Sequence, residues 1–270
     1  MRAGCAGDGD MEKIYDNQEV SLWHGDCLQV MAALEQGSVD MIFADPPYRL
    51  SNDGITCHSG KMVSVNKGDW DRSQGLEQDL QFHLAWIGAC RSLLRPGGTL
   101  WISGTYHSIY TCGYALLHEG YKILNDICWY KPNAAPNLSC RYFTASHEML
   151  LWAKADHNAS HTFNYELLKA RDWGDDRYKR EGRQMRSVWE IPTPGRAEKA
   201  CGRHPAQKPL ALLRRIIEAS TRTGDLILDP FMGSATTGLA ARELGRRCIG
   251  IELEREFIDL AIRRLEEAAT

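Results

Sequence analysis

The sequence predicts an α/β fold built on a doubly wound, mostly parallel sheet, and three observations carry that prediction. Buried-looking runs of strand length recur at Val39–Ala44, Thr99–Ser103, Leu226–Leu228 and Cys248–Ile251, each ended by an acid or a glycine. Stretches with helical apolar spacing lie between them, and strands that alternate with helices build parallel sheets. The chain has 270 residues, 43% of them hydrophobic, enough to bury one α/β core and carry an insertion.

Taken in order, residues 1–20 are polar, include Gly7, Asp8, Gly9 and Asp10, and lack the apolar stretch of a signal peptide, so they read as a flexible leader. Ser21–His24 reads as a short strand ending in Gly25-Asp26. Cys27–Leu34 has helical spacing at Leu28, Met31 and Leu34. After Val39–Ala44, residues 51–71 are polar, contain Gly54, Gly60 and Gly68, and are longer than an ordinary connection, which marks a lid or a disordered segment. Leu80, Leu84, Ile87 and Leu94 predict a helix closed by Pro96-Gly97-Gly98. Beyond the Thr99–Ser103 strand, Tyr106–His118 is expected to be helical with Gly120 at its C-cap. Tyr121–Trp129 and Glu148–Ala153 read as two more strands, separated by an irregular stretch over 131–146. In these strands Trp101, Trp129 and Trp152 are expected in packing roles.

Residues 155–203 lack a clean period, and Pro192, Pro194 and Gly195 mark them as an insertion. Pro209 opens a helix at its first turn, carried by Leu212, Leu213, Ile216 and Ile217. Leu226–Leu228 then leads into Asp229-Pro230, the turn 231–237 enters a helix, and one more strand and a last helix with Ile258, Ile262 and Leu265 follow. The organisation is therefore a leader (1–20), a first half-domain (21–154), an insertion (155–203) and a second half-domain (204–270).

No apolar run reaches the roughly 18 residues of a membrane span. Nine cysteines, an odd number without a C-x-x-C pair, fit free thiols in a reducing cytoplasm better than disulfides or a zinc site. The formal charge of −3 argues at first against a nucleic-acid partner. From Lys169 to Lys208, however, eleven basic residues face six acids, leaving that segment at +5 and the remainder at −8. The segment is either a phosphate-facing surface, with Arg177, Arg180, Arg183 and Arg186 foremost, or a solvated loop of mixed charge.

Two strand ends carry chemistry. Val39–Ala44 stops at Asp45-Pro46-Pro47-Tyr48, where two prolines remove two N–H donors and leave the carbonyls of Asp45 and Pro46 to accept from elsewhere. Acceptors beside an aromatic ring suit a planar base with an exocyclic amino group, while the plainer reading is a strand ending in a Pro-Pro turn. The second end, Asp229 to Thr237, has a strand, a tight turn with Gly233 and a helix N-terminus, and Glu252 ends the next strand, where an acid can accept from ribose hydroxyls. No lysine stands in the turn to meet a polyphosphate. A ligand with an amino-acid carboxylate and an adenosine fits better, and S-adenosylmethionine has both.

Asp45-Pro46-Pro47-Tyr48, followed by His204-Pro205-Ala206-Gln207-Lys208-Pro209 and by Asp229-Pro230-Phe231-Met232-Gly233-Ser234, resembles the beta class of DNA amino-methyltransferases. The likeness runs from about Ser21 to Leu265. Phe43–Tyr48, Val63–Val65, Lys67–Trp70 and Asn137–Phe143 are similar to the adenine-N6 enzymes of bacterial restriction-modification systems. The resemblance implies a circularly permuted, Rossmann-like methyltransferase fold, S-adenosylmethionine as cofactor, and DNA as partner, double-stranded or single-stranded. It also implies a homodimer and a target-recognition role for the insertion.

Residue by residue, it implies that Asp45 and Pro46 hold the target amine, with Pro47 and Tyr48 completing the motif and Tyr48 stacking on the extruded base. Asp26 falls at the cofactor's adenine amino group and Glu252 at its ribose, with Cys27 and Asp45 also among the cofactor-binding residues. Asp229, Phe231, Gly233, Ser234, Ala235, Thr236 and Thr237 form the turn around it, and His204, Gln207, Lys208 and Pro209 close over its methionine end. Tyr142 and Asn137 join the four arginines as DNA contacts, and Tyr142 and Phe143 read equally as a pocket wall or as core. A purely stacking Tyr48 predicts that Phe in its place retains most activity. Ala235 stands where the family has a second glycine, and reading Ser234–Thr237 as a first helical turn gives it a negative φ. His147 and Glu148 lack a second ligand pair for a metal and are read as backbone hydrogen-bonding groups. Methylation at cytosine C5 is disfavoured by the absence of a Pro-Cys dipeptide. Cytosine N4 as target, RNA as substrate, and a catalytically silent cofactor- or DNA-binding module stay open as alternatives.

Overall fold

Val39–Ala44 is apolar on both sides of its pleat because both sides are covered. Met41 and Phe43 pack into one hydrophobic cluster, Ile42 and Ala44 into another on the opposite face. The computed structural model describes residues 11–48, 55–58, 61–64, 71, 74–174 and 176–268. Its strands are β1 (Glu12–Asp16), β2 (Val20–His24), β3 (Val39–Ala44), β4 (Ile55–His58), β5 (Lys61–Ser64), β6 (Leu94–Gly104), β7 (Lys122–Tyr130), β8 (His147–Lys154), β9 (Val188–Glu190), β10 (Leu226–Asp229) and β11 (Arg247–Glu252). The helices are α1 (Cys27–Ala33), α2 (Leu76–Leu93), α3 (Ile109–His118), α4 (Tyr165–Ala170), α5 (Leu210–Ser220), α6 (Thr236–Glu243) and α7 (Arg255–Glu267).

Among the described residues, nine strands form the main sheet in the order β1-β2-β11-β10-β3-β6-β8-β7-β9. Those from β2 to β6 in this order run parallel, whereas β8 is antiparallel to both of its neighbours. Helices α1, α2 and α3 supply one apolar layer, and α5, α6 and α7 supply the other. The connection after β3 thus leaves to one face and that after the adjacent β10 to the other, a switch point of the kind that opens a crevice at the C-terminal strand ends.

Several expectations change. The leader is shorter than 1–20, because β1 pairs antiparallel with β2; residues 1–10 lie outside the described residues. Part of the long 51–71 segment is the β4–β5 hairpin, and the rest of it, including Lys67–Asp69, lies outside the described residues, apart from the buried Asp71. The insertion is not wholly irregular: it carries α4 and sends β9 to pair with β7. Pro209 is the N-cap of α5, one residue before the helix.

Ala235 has φ 60° and ψ 29°, left-handed and not helical, so the negative φ expected for it is wrong. Helix α6 begins only at Thr236, and the chain reverses through Gly233 (φ 52°) and Ala235, whose carbonyl accepts from Leu239 N–H. An alanine held there costs about 1–2 kcal/mol relative to the right-handed region. Helix propensity is therefore no reason for glycine at this position to be worse.

Trp101 stacks on Trp152 at 5.0 Å between ring centroids, and Trp129 donates its indole N–H to the Ile191 carbonyl, so all three tryptophans are core as expected. Cys27, Cys90, Cys112, Cys128, Cys140, Cys201 and Cys248 are free thiols. No described helix is long and apolar enough to cross a membrane. The insertion is clamped to α5. Arg215 is buried, pairs with buried Asp176, and lies 4.8 and 5.2 Å from the ring centroids of Trp173 and Trp189.

Candidate active site

Because β2, β11, β10 and β3 are parallel, their C-terminal ends bring Asp26, Glu252, Asp229 and Asp45 to one edge of the sheet. The antiparallel β8 adds its N-terminal residues to that same edge, which places Glu148 beside Asp45. Two prolines keep the chain after β3 extended enough for Tyr48 to fold back under Asp45. The Tyr48 hydroxyl lies 2.5 Å from Asp45 Oδ1 and 3.0 Å from Glu148 Oε2, with Ser103 Oγ at 3.3 Å. Its single hydrogen serves one carboxylate at a time.

Lys208 enters from the segment before α5. Its Nζ donates to Asp45 Oδ2 at 2.5 Å and lies 3.5 Å from Glu148 Oε2 and 5.1 Å from the Tyr48 ring centroid. Lys131 completes the cluster at 3.1 Å from Glu148 Oε1. Two largely buried acids are thus matched by two cations, which is what makes withdrawing them from water tolerable.

Burial raises the Asp45 carboxyl above the usual carboxylate range, with Lys208 opposing and Glu148 adding to the rise. Burial would raise Glu148 as well, but Lys208 and Lys131 more than offset it and hold that carboxyl at about 2. Burial also opposes the charge on Lys208, and the two acids overcome it and raise its pKa. Burial and both acids push the Tyr48 phenol well above its normal range, so it stays a neutral donor.

Beside this cluster opens a cavity of about 370 Å³. Its walls carry the rings of Phe82, Phe231 and Phe257, and the acids Asp26, Asp45, Asp71, Glu252 and Glu254, with no lysine or arginine among the described lining residues. Such a lining repels polyphosphates and suits a cationic ligand with hydroxyls and a flat apolar part. A second cavity, about 180 Å³, lies across Tyr48 and is lined by Trp129, Glu148, Thr193, Pro194 and Lys199 among others. Tyr48, His204 and Ala206 border both.

The residues singled out in the sequence divide into three groups. Asp45, Pro46, Pro47, Tyr48, Asp26, Cys27, His204, Phe231, Gly233 and Glu252 line the larger cavity. Asp26 Oδ1 caps α1 by accepting from Leu28 and Gln29 N–H, which leaves Oδ2 toward other donors. Cys27 is buried, and its thiol is pushed up to about 12 chiefly by that burial, so it is no nucleophile. Glu252 accepts from Gly233 N–H and Glu254 N–H, both at 2.8 Å, and burial raises its carboxyl. His204 packs its ring on Phe257 at 4.2 Å and closes against Gly233, where a Cβ would sit 3.1 Å from the imidazole.

The second group stands one layer back. Ser234 and Thr236 accept from the buried Arg264 guanidinium of α7, and Thr237 donates to Asp229 Oδ2 at 2.5 Å. Asp229 also accepts from Phe231 N–H, and its carboxyl is raised to about 7, mainly by burial and further by the charges of Asp45 and Glu252. Ala235 is fully buried in the core. Gln207 donates to the Glu198 carbonyl, Pro209 caps α5, and Lys208 turns to Asp45.

The third group lies at the surface, with Asn137 half-buried. Asn137 uses its side chain within its own loop, donating to the Tyr142 carbonyl and accepting from Ser139, which makes it a brace for that loop. Tyr142 and Phe143 are 67% and 97% exposed, so neither is core. Arg177 pairs with Glu190, while Arg180, Arg183 and Arg186 face solvent. Contrary to the expectation from the sequence, Glu148 bonds side chains of the site and not backbone. Lys131, Ser103, Phe82, Phe257 and Arg264 also belong to the site, and no motif in the sequence marks them. No group of described residues has the makings of a metal site.

A family model described as DNA methylase matches residues 39–263. The Type II methyltransferase M2.DpnII of Streptococcus pneumoniae is 50% identical over 253 residues, covering 93% of this chain and 91% of that protein. M2.MboI of Moraxella bovis is 48% identical over 252 residues, covering 93% and 89%. Among solved structures, that of the M1.HpyAVI–SAM complex superposes with a TM-score of 0.65 at 29% identity, over 91% of this chain and 98% of that one. The cytosine-N4-specific PvuII DNA methyltransferase shares the fold, with a TM-score of 0.73 at 18% identity over 97% and 93% of the two chains. The match spans the strand end at Asp45, the cavity beside it and both halves of the sheet that frame them, and the chain belongs to the DNA methylase family.

Proposed function

We propose that this protein transfers a methyl group from S-adenosylmethionine to the exocyclic N6 of an adenine in DNA, after the base has been turned out of the helix. The observation that carries the reading is Asp45, a largely buried carboxylate on the wall of an acid-lined cavity, fixed by Lys208 and by Tyr48, which also borders a second, smaller cavity. The larger cavity takes the cofactor. Asp26 faces its adenine amino group, Glu252 its ribose, and the phenylalanine rings its flat surfaces, while the acids favour a positive sulfonium over a phosphate. The bound cofactor supplies an electrophilic methyl group.

An aromatic amine is a weak nucleophile, because its lone pair is delocalised into the ring. Asp45 and the Pro46 carbonyl accept its two hydrogens and draw the nitrogen toward tetrahedral geometry. Orienting the amine in line with the donor is worth several kcal/mol without any covalent intermediate. Tyr48 offers the ring face not covered by Lys208 to the extruded base, with its hydroxyl held by the acids.

The insertion at 155–203 reads the target sequence, with Arg180, Arg183 and Arg186 on phosphates or bases and Arg177 restrained by Glu190. Action on single strands as well as duplexes, assembly as a homodimer and a cytoplasmic location belong to the same proposal. Nucleoside mass spectrometry after incubation with labelled cofactor, on DNA and on RNA, tests it. N6-methyladenine from DNA is expected; N4-methylcytosine alone, label only in RNA, or no transfer would each overturn it.

A further inference from the structure

The amine-accepting carboxylate does not stand alone, and the groups around it come from four separate parts of the chain. Asp45 follows β3, Lys208 precedes α5, Glu148 is the second residue of β8, and Lys131 follows β7. Glu148 is the hub. Its Oε2 is within reach of the Tyr48 hydroxyl at 3.0 Å, Ser103 Oγ at 3.4 Å and Lys208 Nζ at 3.5 Å, and its Oε1 holds Lys131. It is far more heavily contacted than an acid that only closes a strand needs to be.

We propose that Glu148 and Lys208 are positioning residues for the methyl transfer. Glu148 fixes the Lys208 ammonium and the Tyr48 hydroxyl, and these two fix the Asp45 carboxylate at the place where the target amine must meet it. The proposal rests on the methyltransferase reading above and goes beyond it in assigning two roles at the transfer site. Lys208 thereby serves the target side of the site, whereas the motif resemblance had put it over the methionine end.

The geometry explains why both residues are needed. Lys208 alone could draw Asp45 away from the amine, since an ammonium has three donors and no fixed direction. Its contact with Glu148 divides the cation between two acids and sets its place. Tyr48 likewise has one hydrogen for two carboxylates, so Asp45 keeps lone pairs for a substrate. Among the described residues, the titratable and charged groups around Asp45 are Lys208, Tyr48, Glu148 with Lys131 behind it, and Asp229 on the neighbouring β10; Asp26, Asp71, His204, Glu252 and Glu254 line the same cavity.

Glu148→Gln keeps the side chain's size and removes its charge. It is expected to lower kcat about 100-fold, the cost of a small misplacement at a reacting centre, while calorimetry finds cofactor affinity unchanged. The pH profile separates positioning from general packing. Lys208→Met removes an opposite charge from Asp45 and should move the acid limb of kcat/KM upward by roughly 1–3 pH units, and Glu148→Gln removes a like charge and should move it downward. Lys208→Arg keeps the cation and should leave the limb where it is.

The glutamine variant decides alone if the methionine variant does not fold. An active wild type with unchanged kcat in Glu148→Gln, or a limb that moves upward in it, would overturn the proposal and leave the function standing. A wild type that methylates nothing would instead overturn the function, and this inference with it.

Discussion

Asp229 is the buried acid whose ionisation the fold opposes most plainly, and replacing it with asparagine makes that opposition measurable. Its carboxyl lies at about 7 in the folded chain against an ordinary value of 3.8, because burial removes its hydration, and Thr237 and Phe231 only partly compensate. A group raised in the folded state lends its full stability below the unfolded value and loses it as pH rises through the folded one. Between about pH 4 and pH 7 the wild type should therefore lose on the order of 4 kcal/mol through this residue, taking about 1.4 kcal/mol for each pH unit of the gap.

Glu148 has the opposite sign, and its window lies lower. Its folded value of about 2 means that its contribution is present above the ordinary 4.5 and is lost as pH falls through 2. The two effects can thus be told apart. Urea unfolding at a series of pH values gives the free energy at each, and the quantity of interest is the wild-type value minus that of Asp229→Asn. The difference should shrink steadily from pH 4 to pH 7 and level off above. A difference that stays constant across this window would show that Asp229 ionises normally and that the interior under α6 is better hydrated than its burial implies.

Asp45→Ala should abolish turnover and spare cofactor binding, because the acids assigned to the cofactor end other strands; calorimetry showing both lost together would refute the division. Tyr48→Phe should not be benign, contrary to a purely stacking role, since it removes a donor shared by two buried acids, and a loss of about 1.5–3 kcal/mol in kcat/KM is expected; near-wild-type kinetics would return the residue to stacking alone. Replacing Arg180, Arg183 and Arg186 together with glutamine should flatten the dependence of log affinity for DNA on log salt by roughly 3 if each meets a phosphate, and an unchanged slope would place the DNA surface elsewhere.

The parallel part of the fold was legible because fully covered strands have a distinctive signature: Met41–Ala44 and Leu226–Leu228 are apolar at consecutive positions, and each run ends at an acid that lands on the same edge. Asp45, Tyr48 and Glu252 could be found for that reason. Glu148 could not, since its relevance depends on β8 running backwards, and the apolar pattern of a strand carries no information about its direction. Ala235 failed for a different reason. Thr236, Thr237 and Leu239 continue a helical pattern up to its margin, and only the need to reverse the chain after Met232 forces the left-handed conformation. Asn137 and Arg177 are residue types that bind nucleic acid anywhere, and here neighbours in their own segments engage them.

The buried Arg215, gripped by Asp176 and flanked by two indole rings, bears on how specificity is acquired. Losing one member of such a pair costs about 3–5 kcal/mol, so this part of the insertion is a fixed ledge and not a swinging arm. On the proposed reading, in which the insertion meets DNA, arginines displayed on such a ledge would carry no folding cost, and conformational entropy would be spent mainly by the DNA as it distorts. New target sequences could then arise by exchanging exposed side chains between Tyr178 and Ser187 while the tryptophans beneath stay as they are, so that recognition would drift without disturbing the transfer chemistry.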